Sequence, residues 1–179
     1  HNSPFLINMY GITETTVHVT FHKITAKDIE DGGSVIGRPL PDLSINLVDS
    51  YNQPVPIGIP GEMLVGGGGV AGGYLNRPNL TRERFVNPKS LGIEELLSIS
   101  ESLDISESLN IKGITTKLYR SGDLARWRSD GILEYLGRMD QQVKIRGFRI
   151  EPGEIEACIT SHPDIKEAVV EAKKSSGSH

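Results

Sequence analysis

The chain has 179 residues, of which 37 % are apolar and 23 % charged, with a net charge of −4; this describes a folded, water-soluble protein of one domain or parts of two. No basic stripe marks a nucleic-acid reader, no apolar run reaches bilayer length, and no secretion signal opens the chain, so neither nucleic acid nor membrane is an expected partner. The single cysteine, Cys158, cannot support a disulfide framework, which favours a reducing, cytoplasmic setting.

Residues 5–22 are rich in β-branched and aromatic types around a Tyr10-Gly11 turn. Strands are expected at 44–48, 62–65 and 132–136, each bounded by Gly, Pro or Asp. A short helix is expected over 79–85, with Asn79 as its cap. Residues 89–117 carry the run Ile99-Ser100-Glu101-Ser102-Leu103, repeated as Ile105-Ser106-Glu107-Ser108-Leu109. A six-residue period fits neither a solenoid nor a heptad, so the segment reads as a low-complexity surface insertion, with a partner-docking arm as the alternative.

After Gly137 the texture changes. Residues 142–145 and 148–150 read as two strands, and Pro152 suits the first turn of a helix with Glu154 and Glu156 near its positive end. Ile155, Cys158 and Ile159 share one face of that helix, which places Cys158 in a core. His162-Pro163 ends it, and 165–172 reads as a further strand. Residues 175–179 look like a linker or tag remnant, and His1 is no initiator methionine, so the sequence reads as a piece of a longer protein.

Three segments carry chemistry. In Asn8-Met9-Tyr10-Gly11-Ile12-Thr13-Glu14 an aromatic ring, a glycine turn, a hydroxyl and a carboxylate lie close together. That set suits a nucleotide, with a ring for the base, a donor for phosphate and a carboxylate for magnesium. Tyr119-Arg120-Ser121-Gly122-Asp123-Leu124 puts an aspartate on a tight glycine turn, where it can accept from both ribose hydroxyls. The third, from Gly137 to Glu156, alternates Arg138, Lys144, Arg146 and Arg149 with apolar residues before an acidic helix start. Each alone has a plain structural alternative: a capped turn, an ordinary turn, a charged hairpin. Residues 67–72 satisfy the Gly-x-Gly-x-x-Gly pattern, but Asn87-Pro88 and the insertion break the context a dinucleotide site needs. His18 and His22 lack a third metal ligand nearby in sequence.

In order and spacing, the three segments together resemble the later core motifs of the adenylation domains of nonribosomal peptide synthetases. A fourth match, Gly61-Glu62-Met63-Leu64-Val65-Gly66 running into Gly69-Val70-Ala71-Gly72-Gly73-Tyr74-Leu75, falls between them. The resemblance runs from Phe5 to Ala172, apart from 89–117. It implies an α/β (mixed α+β) fold: residues 1–139 would be the C-terminal part of a large core domain with a β-rich subdomain, and 140–174 the start of a small lid domain. It implies ATP-dependent activation of an amino acid to aminoacyl-AMP, then transfer to a phosphopantetheine thiol.

By the same resemblance, Tyr10 packs on adenine, with Asn8 and Gly11 shaping that pocket. Thr13 lies near the α-phosphate, Glu14 binds magnesium, Asp123 binds ribose, and Arg138 reaches the ribose and phosphate region. Thr13, Glu14 and Arg138 are therefore the candidate catalytic residues, Asp140 the hinge, and Met9, Val17 and His18 the substrate pocket. Implied partners are the rest of the adenylation domain, a peptidyl carrier domain and a neighbouring condensation domain. Gly72 and Pro152 depart from the family's usual arginine and leucine. The phosphate loop, the aspartate for the substrate's amino group and the catalytic lysine have no counterpart here, so this stretch alone is not expected to be a complete enzyme. An acyl-CoA or aryl-acid ligase of the same superfamily, or a non-catalytic interaction fragment, are the alternatives.

Overall fold

The computed structural model describes residues 4–91, 117–140, 142–145 and 148–173. Most of the 89–117 insertion, the pair Arg146-Gly147 and the 175–179 remnant lie outside the described residues. The chain divides into two compact units, His1–Gly137 and Arg138–His179. Among the described residues no helix is long and apolar enough to cross a membrane.

In the first unit, the described strands form an eight-stranded antiparallel sheet. They are β1 (Ile7–Asn8), β2 (Thr20–Lys23), β3 (Ser34–Pro39), β4 (Leu43–Val48), β5 (Gly61–Gly67), β6 (Phe85–Val86), β7 (Leu118–Trp127) and β8 (Leu133–Arg138). The spatial order is β1-β2-β3-β8-β7-β5-β4, with β6 also paired to β7. β5 lies between β4 and β7, and Gly61 through Gly66 are all buried. Met63 and Val65 join the main core with Ile45, Leu47, Phe85 and Tyr119, while Leu64 faces Val48 and Leu118 on the other side. This is the period-2 alternation of a strand covered on both faces. Each such side chain contributes roughly 1.5–3 kcal/mol by leaving water.

Three helices belong to this unit among the described residues: α1 (Ala26–Asp31), α2 (Pro78–Arg84) and α3 (Pro88–Leu91). α1 starts with a capping box in which the Thr25 side chain accepts from Asp28 N and Asp28 Oδ2 accepts from Thr25 N. The expectation for α2 needs correction. Its N-cap is Arg77, with no side-chain cap, and Pro78 opens the first turn. Asn79 instead accepts from Arg82 at 2.5 Å, so its side chain spans one turn rather than closing the end.

In the second unit, β9 (Val143–Ile145) and β10 (Phe148–Ile150) pair antiparallel, and α4 (Pro152–Thr160) follows. Pro152 sits in the first turn as expected. Two expectations fail here. Residues 165–172 form no strand; Val170 N donates instead to Glu156 Oε1 at 2.9 Å. Cys158 is exposed, and Ile155 and Ile159 remain 40 % and 37 % exposed. An amphipathic stripe says which face favours burial, and not whether a neighbour covers it.

Candidate functional site

The site is organised by a break in one strand. Glu62 pairs with Leu124 and Leu64 with Arg120, so Ser121, Gly122 and Asp123 together face the single residue Met63. Gly122 adopts φ 71°, a conformation an L side chain resists, and this allows β7 to bulge. Side chains then satisfy the displaced backbone. Ser121 Oγ donates to Met63 O at 2.7 Å and accepts from Asp123 N at 3.0 Å. Gly122 N donates to Glu62 Oε1 at 3.2 Å, and Arg120 reaches Glu62 Oε2 at 2.6 Å. Asp123 is therefore carried on a bulge inside a ten-residue strand, rather than on the tight turn its sequence suggests.

The Asp123 carboxylate is 3 % exposed and meets two phenols. Tyr10 donates to Oδ2, and Tyr135 on β8 donates to Oδ1 at 3.4 Å. The two rings lie 5.8 Å apart with planes tilted 34°. A buried carboxylate beside two aromatic faces suits a ligand with a flat ring joined to vicinal hydroxyls, since the rings take the apolar face and the carboxylate accepts from the hydroxyls.

Tyr10 comes from the loop joining β1 to β2. Asn8 anchors the loop's start by donating to Val35 O at 2.6 Å. Gly11 is required by close approach: a Cβ there would lie 1.6 Å from Val17 O. A short 3-10 helix, Thr13–Thr15, then leads into Thr16 and Val17, with φ of 63° and 71°. His18 N donates to Thr16 O at 2.8 Å across Val17, the strained γ-turn with positive φ at its centre. Backbone of this kind costs on the order of 1–3 kcal/mol per residue and collects at functional sites. Thr13 is exposed at the head of the loop, whereas Glu14 is 8 % exposed.

Glu14 Oε1 accepts from the Tyr74 hydroxyl at 2.6 Å, and Tyr74 meets Tyr119 hydroxyl to hydroxyl at 3.1 Å. Burial, then the bonds to Glu14 and Tyr119, push the Tyr74 hydroxyl well above the ordinary phenol range, so it stays protonated. The substrate-pocket candidates Met9, Val17 and His18 are all exposed, Val17 by 62 %. His22, the other histidine of the spaced pair, is engaged by Asp28 at 3.0 Å. Among the described residues no group of three or more His, Cys, Asp or Glu is arranged to hold a metal ion.

In the second unit, Arg138 grips Asp140 with both prongs, Nε to Oδ1 at 2.8 Å and Nη2 to Oδ2 at 2.5 Å. Gln142 N also donates to Asp140 Oδ1 at 3.1 Å. Sequence reasoning did not single out Tyr135 or assign Tyr74 a role. The available signal was weak in both cases: a tyrosine in a strand candidate and another just beyond a glycine run.

The fold coincides with that of one class of enzymes. Residues 1–75 match the family model for AMP-binding enzymes. The chain is 51 % identical over 166 residues to a plipastatin synthase of Bacillus subtilis (strain 168), covering 92 % of this chain and 6 % of that protein. It is 46 % identical over 167 residues to malpinin synthetase of Mortierella alpina, covering 93 % of this chain and 2 % of the relative. A solved structure described as PA1221, an NRPS protein containing adenylation and PCP domains, is similar with a TM-score of 0.69 at 30 % identity, over 89 % of this chain and 28 % of that one. The chain belongs to the AMP-binding enzyme family, within the branch of nonribosomal peptide synthetase adenylation domains. It spans a small fraction of the length of the relatives it matches.

Proposed function

We propose that this chain supplies the nucleotide-reading part of a unit that activates an amino acid with MgATP. The amino-acid carboxylate attacks the α-phosphorus, the bond to the β-phosphate oxygen breaks, and pyrophosphate leaves. The acyl group of the resulting aminoacyl-AMP then passes to the phosphopantetheine thiol of a carrier domain, with release of AMP. A condensation domain is the expected consumer of the loaded carrier.

The observation that supports this reading best is the convergence of Tyr10 and Tyr135 on the buried Asp123 carboxylate. On this reading Tyr10 stacks on adenine, Asp123 accepts from the ribose hydroxyls, and Tyr135 adds a hydroxyl beside them. Asn8 and Gly11 shape the loop that presents Tyr10, and Thr13 donates near the α-phosphate. Magnesium arrives as part of the nucleotide. Glu14 suits it as a lone hard carboxylate, because magnesium is commonly held by one or two carboxylates together with substrate phosphates and water. Most of the catalytic effect would come from positioning and charge neutralisation.

Arg138 contributes a cation to the ribose and phosphate region, and to do so it exchanges its present partner Asp140 for the nucleotide. Asp140 is the pivot of the change between the two half-reactions. Met9, Val17 and His18 line the side-chain pocket, with the strained backbone at Thr16 and Val17 turning the last two out of the regular strand alternation. Calorimetric titration of ATP into the full-length protein tests the reading. Asp123→Ala should weaken binding at least about tenfold, because hydrogen bonds to charged groups are each worth roughly 1.5–3 kcal/mol; unchanged affinity would retire the assignment.

A further inference from the structure

Three contacts tie the loop that carries Glu14 to one stretch, residues 69–74, just beyond β5. Thr16 Oγ1 donates to Gly69 O at 2.7 Å, and Ala71 N donates to Glu14 O at 2.9 Å. Both fix the backbone that carries Glu14. The third contact, Tyr74 to Glu14 Oε1 at 2.6 Å, fixes the carboxylate itself.

Tyr74 is in turn held on every side. Its N–H donates to Thr81 Oγ1 at 2.9 Å, and its ring packs edge-on against Phe85 at 5.4 Å. Phe85 packs on Tyr119 at 5.1 Å, and buried Tyr119 meets the Tyr74 hydroxyl at 3.1 Å. Residues from α2, β6 and β7 thus converge to place one phenolic oxygen. A purely space-filling role for this position would need the ring and not the hydroxyl.

We propose that Tyr74 is a positioning residue for the metal-binding carboxylate: its hydroxyl, backed by Tyr119, holds Glu14 in the orientation from which it meets the magnesium of MgATP. The proposal rests on the reading of Glu14 as a magnesium ligand. Its physical basis is that magnesium demands near-ideal octahedral geometry, so a carboxylate that must first be ordered binds it more weakly. A neutral donor also draws some charge from the carboxylate, which works the other way. Orientation outweighs that, since losing outer-shell partners of metal ligands typically lowers affinity.

The test is direct metal binding. Full-length protein loaded with a nonhydrolysable ATP analogue is titrated with Mn2+, and free Mn2+ is read by electron paramagnetic resonance. Tyr74→Phe keeps the ring and removes the hydroxyl; it should raise the Mn2+ Kd about tenfold, the lower end of the roughly 10–100-fold range for such partners. Tyr119→Phe should act in the same direction and more weakly, by about threefold, because it removes the hydroxyl that backs Tyr74 and leaves the Tyr74 hydroxyl on Glu14. Glu14→Gln should weaken Mn2+ at least as much as Tyr74→Phe, and adding Tyr74→Phe to it should change nothing further. Unchanged Mn2+ binding in Tyr74→Phe, with Glu14→Gln weakened, overturns this inference alone, as does full additivity in the double variant. Unchanged binding in Glu14→Gln removes the reading of Glu14 and this inference with it. If Tyr74→Phe does not fold, Tyr119→Phe decides: a weakened site supports the proposal and an unchanged one overturns it.

Discussion

The Tyr10 hydroxyl donates to Oδ2 of Asp123, 113 positions further along the chain. That bond ties the loop between β1 and β2 to the bulge of β7 and sets an aromatic face beside a buried carboxylate. Tyr10→Phe keeps the face and removes the donor. Stability should fall by about 1.5–3 kcal/mol in urea unfolding, the usual worth of a hydrogen bond to a charged group. ATP affinity should stay within about threefold, because stacking area is unchanged. A loss of ATP binding as large as that of Asp123→Ala would make the hydroxyl itself a ligand.

Gly122 permits the bulge through its φ of 71°. Gly122→Ala should destabilise by about 1–2 kcal/mol, the cost of left-handed backbone for an L residue, and should weaken ATP by displacing Asp123. Gly122→Asn should be milder in both measurements, since asparagine visits this region more readily. Equal effects of the two would mean that space, and not φ, selects glycine there.

The start of α1 should respond to acid. The Asp28 carboxyl is held well below its ordinary 3.8, first by the Thr25 hydroxyl, then by the Thr25 N–H and the His22 ring. Its folded pKa lies below the unfolded one, so its contribution is fully present above the ordinary carboxylate range and is lost as pH falls through the folded value. Amide exchange over Ala26–Asp31 should therefore be slower in the parent than in Asp28→Asn at about pH 7, with the gap closing below about pH 4. A gap of constant size would rule out this cap as an acid-sensitive element.

His18 follows two residues of positive φ and is exposed. His18→Ala should change which amino acids support pyrophosphate exchange while ATP affinity stays within about threefold. A uniform loss across all amino acids would make His18 a structural residue.

Much of the sheet was legible because 44–48, 62–65 and 132–136 are short, largely apolar runs bounded by Gly, Pro or Asp. β4, β5 and β8 formed there with small shifts of their ends. The bulged strand β7 was not legible. Ser121-Gly122-Asp123 looks like a turn locally, and only pairing with β5 shows that the chain continues as a strand. α1 and β3 were missed as well, since α1 buries no residue and so shows no apolar stripe. For the site, the motif resemblance named Tyr10, Glu14 and Asp123. What it left out were the phenols that hold those carboxylates, Tyr135 and Tyr74, whose partners are 12 and 60 residues away in sequence. Cys158 was misjudged because a helix face carries no information about its neighbour.

The most direct test is amino-acid-dependent exchange of pyrophosphate into ATP by the full-length protein, with a panel of amino acids and magnesium. Exchange should depend on one amino acid or a few related ones. Asp123→Ala, still folded, should require at least about tenfold more ATP for the same rate, from the loss of charged hydrogen bonds to ribose. A folded, magnesium-supplied protein that exchanges with no amino acid, or an Asp123→Ala variant with an unchanged ATP requirement, would contradict the proposed role of this site.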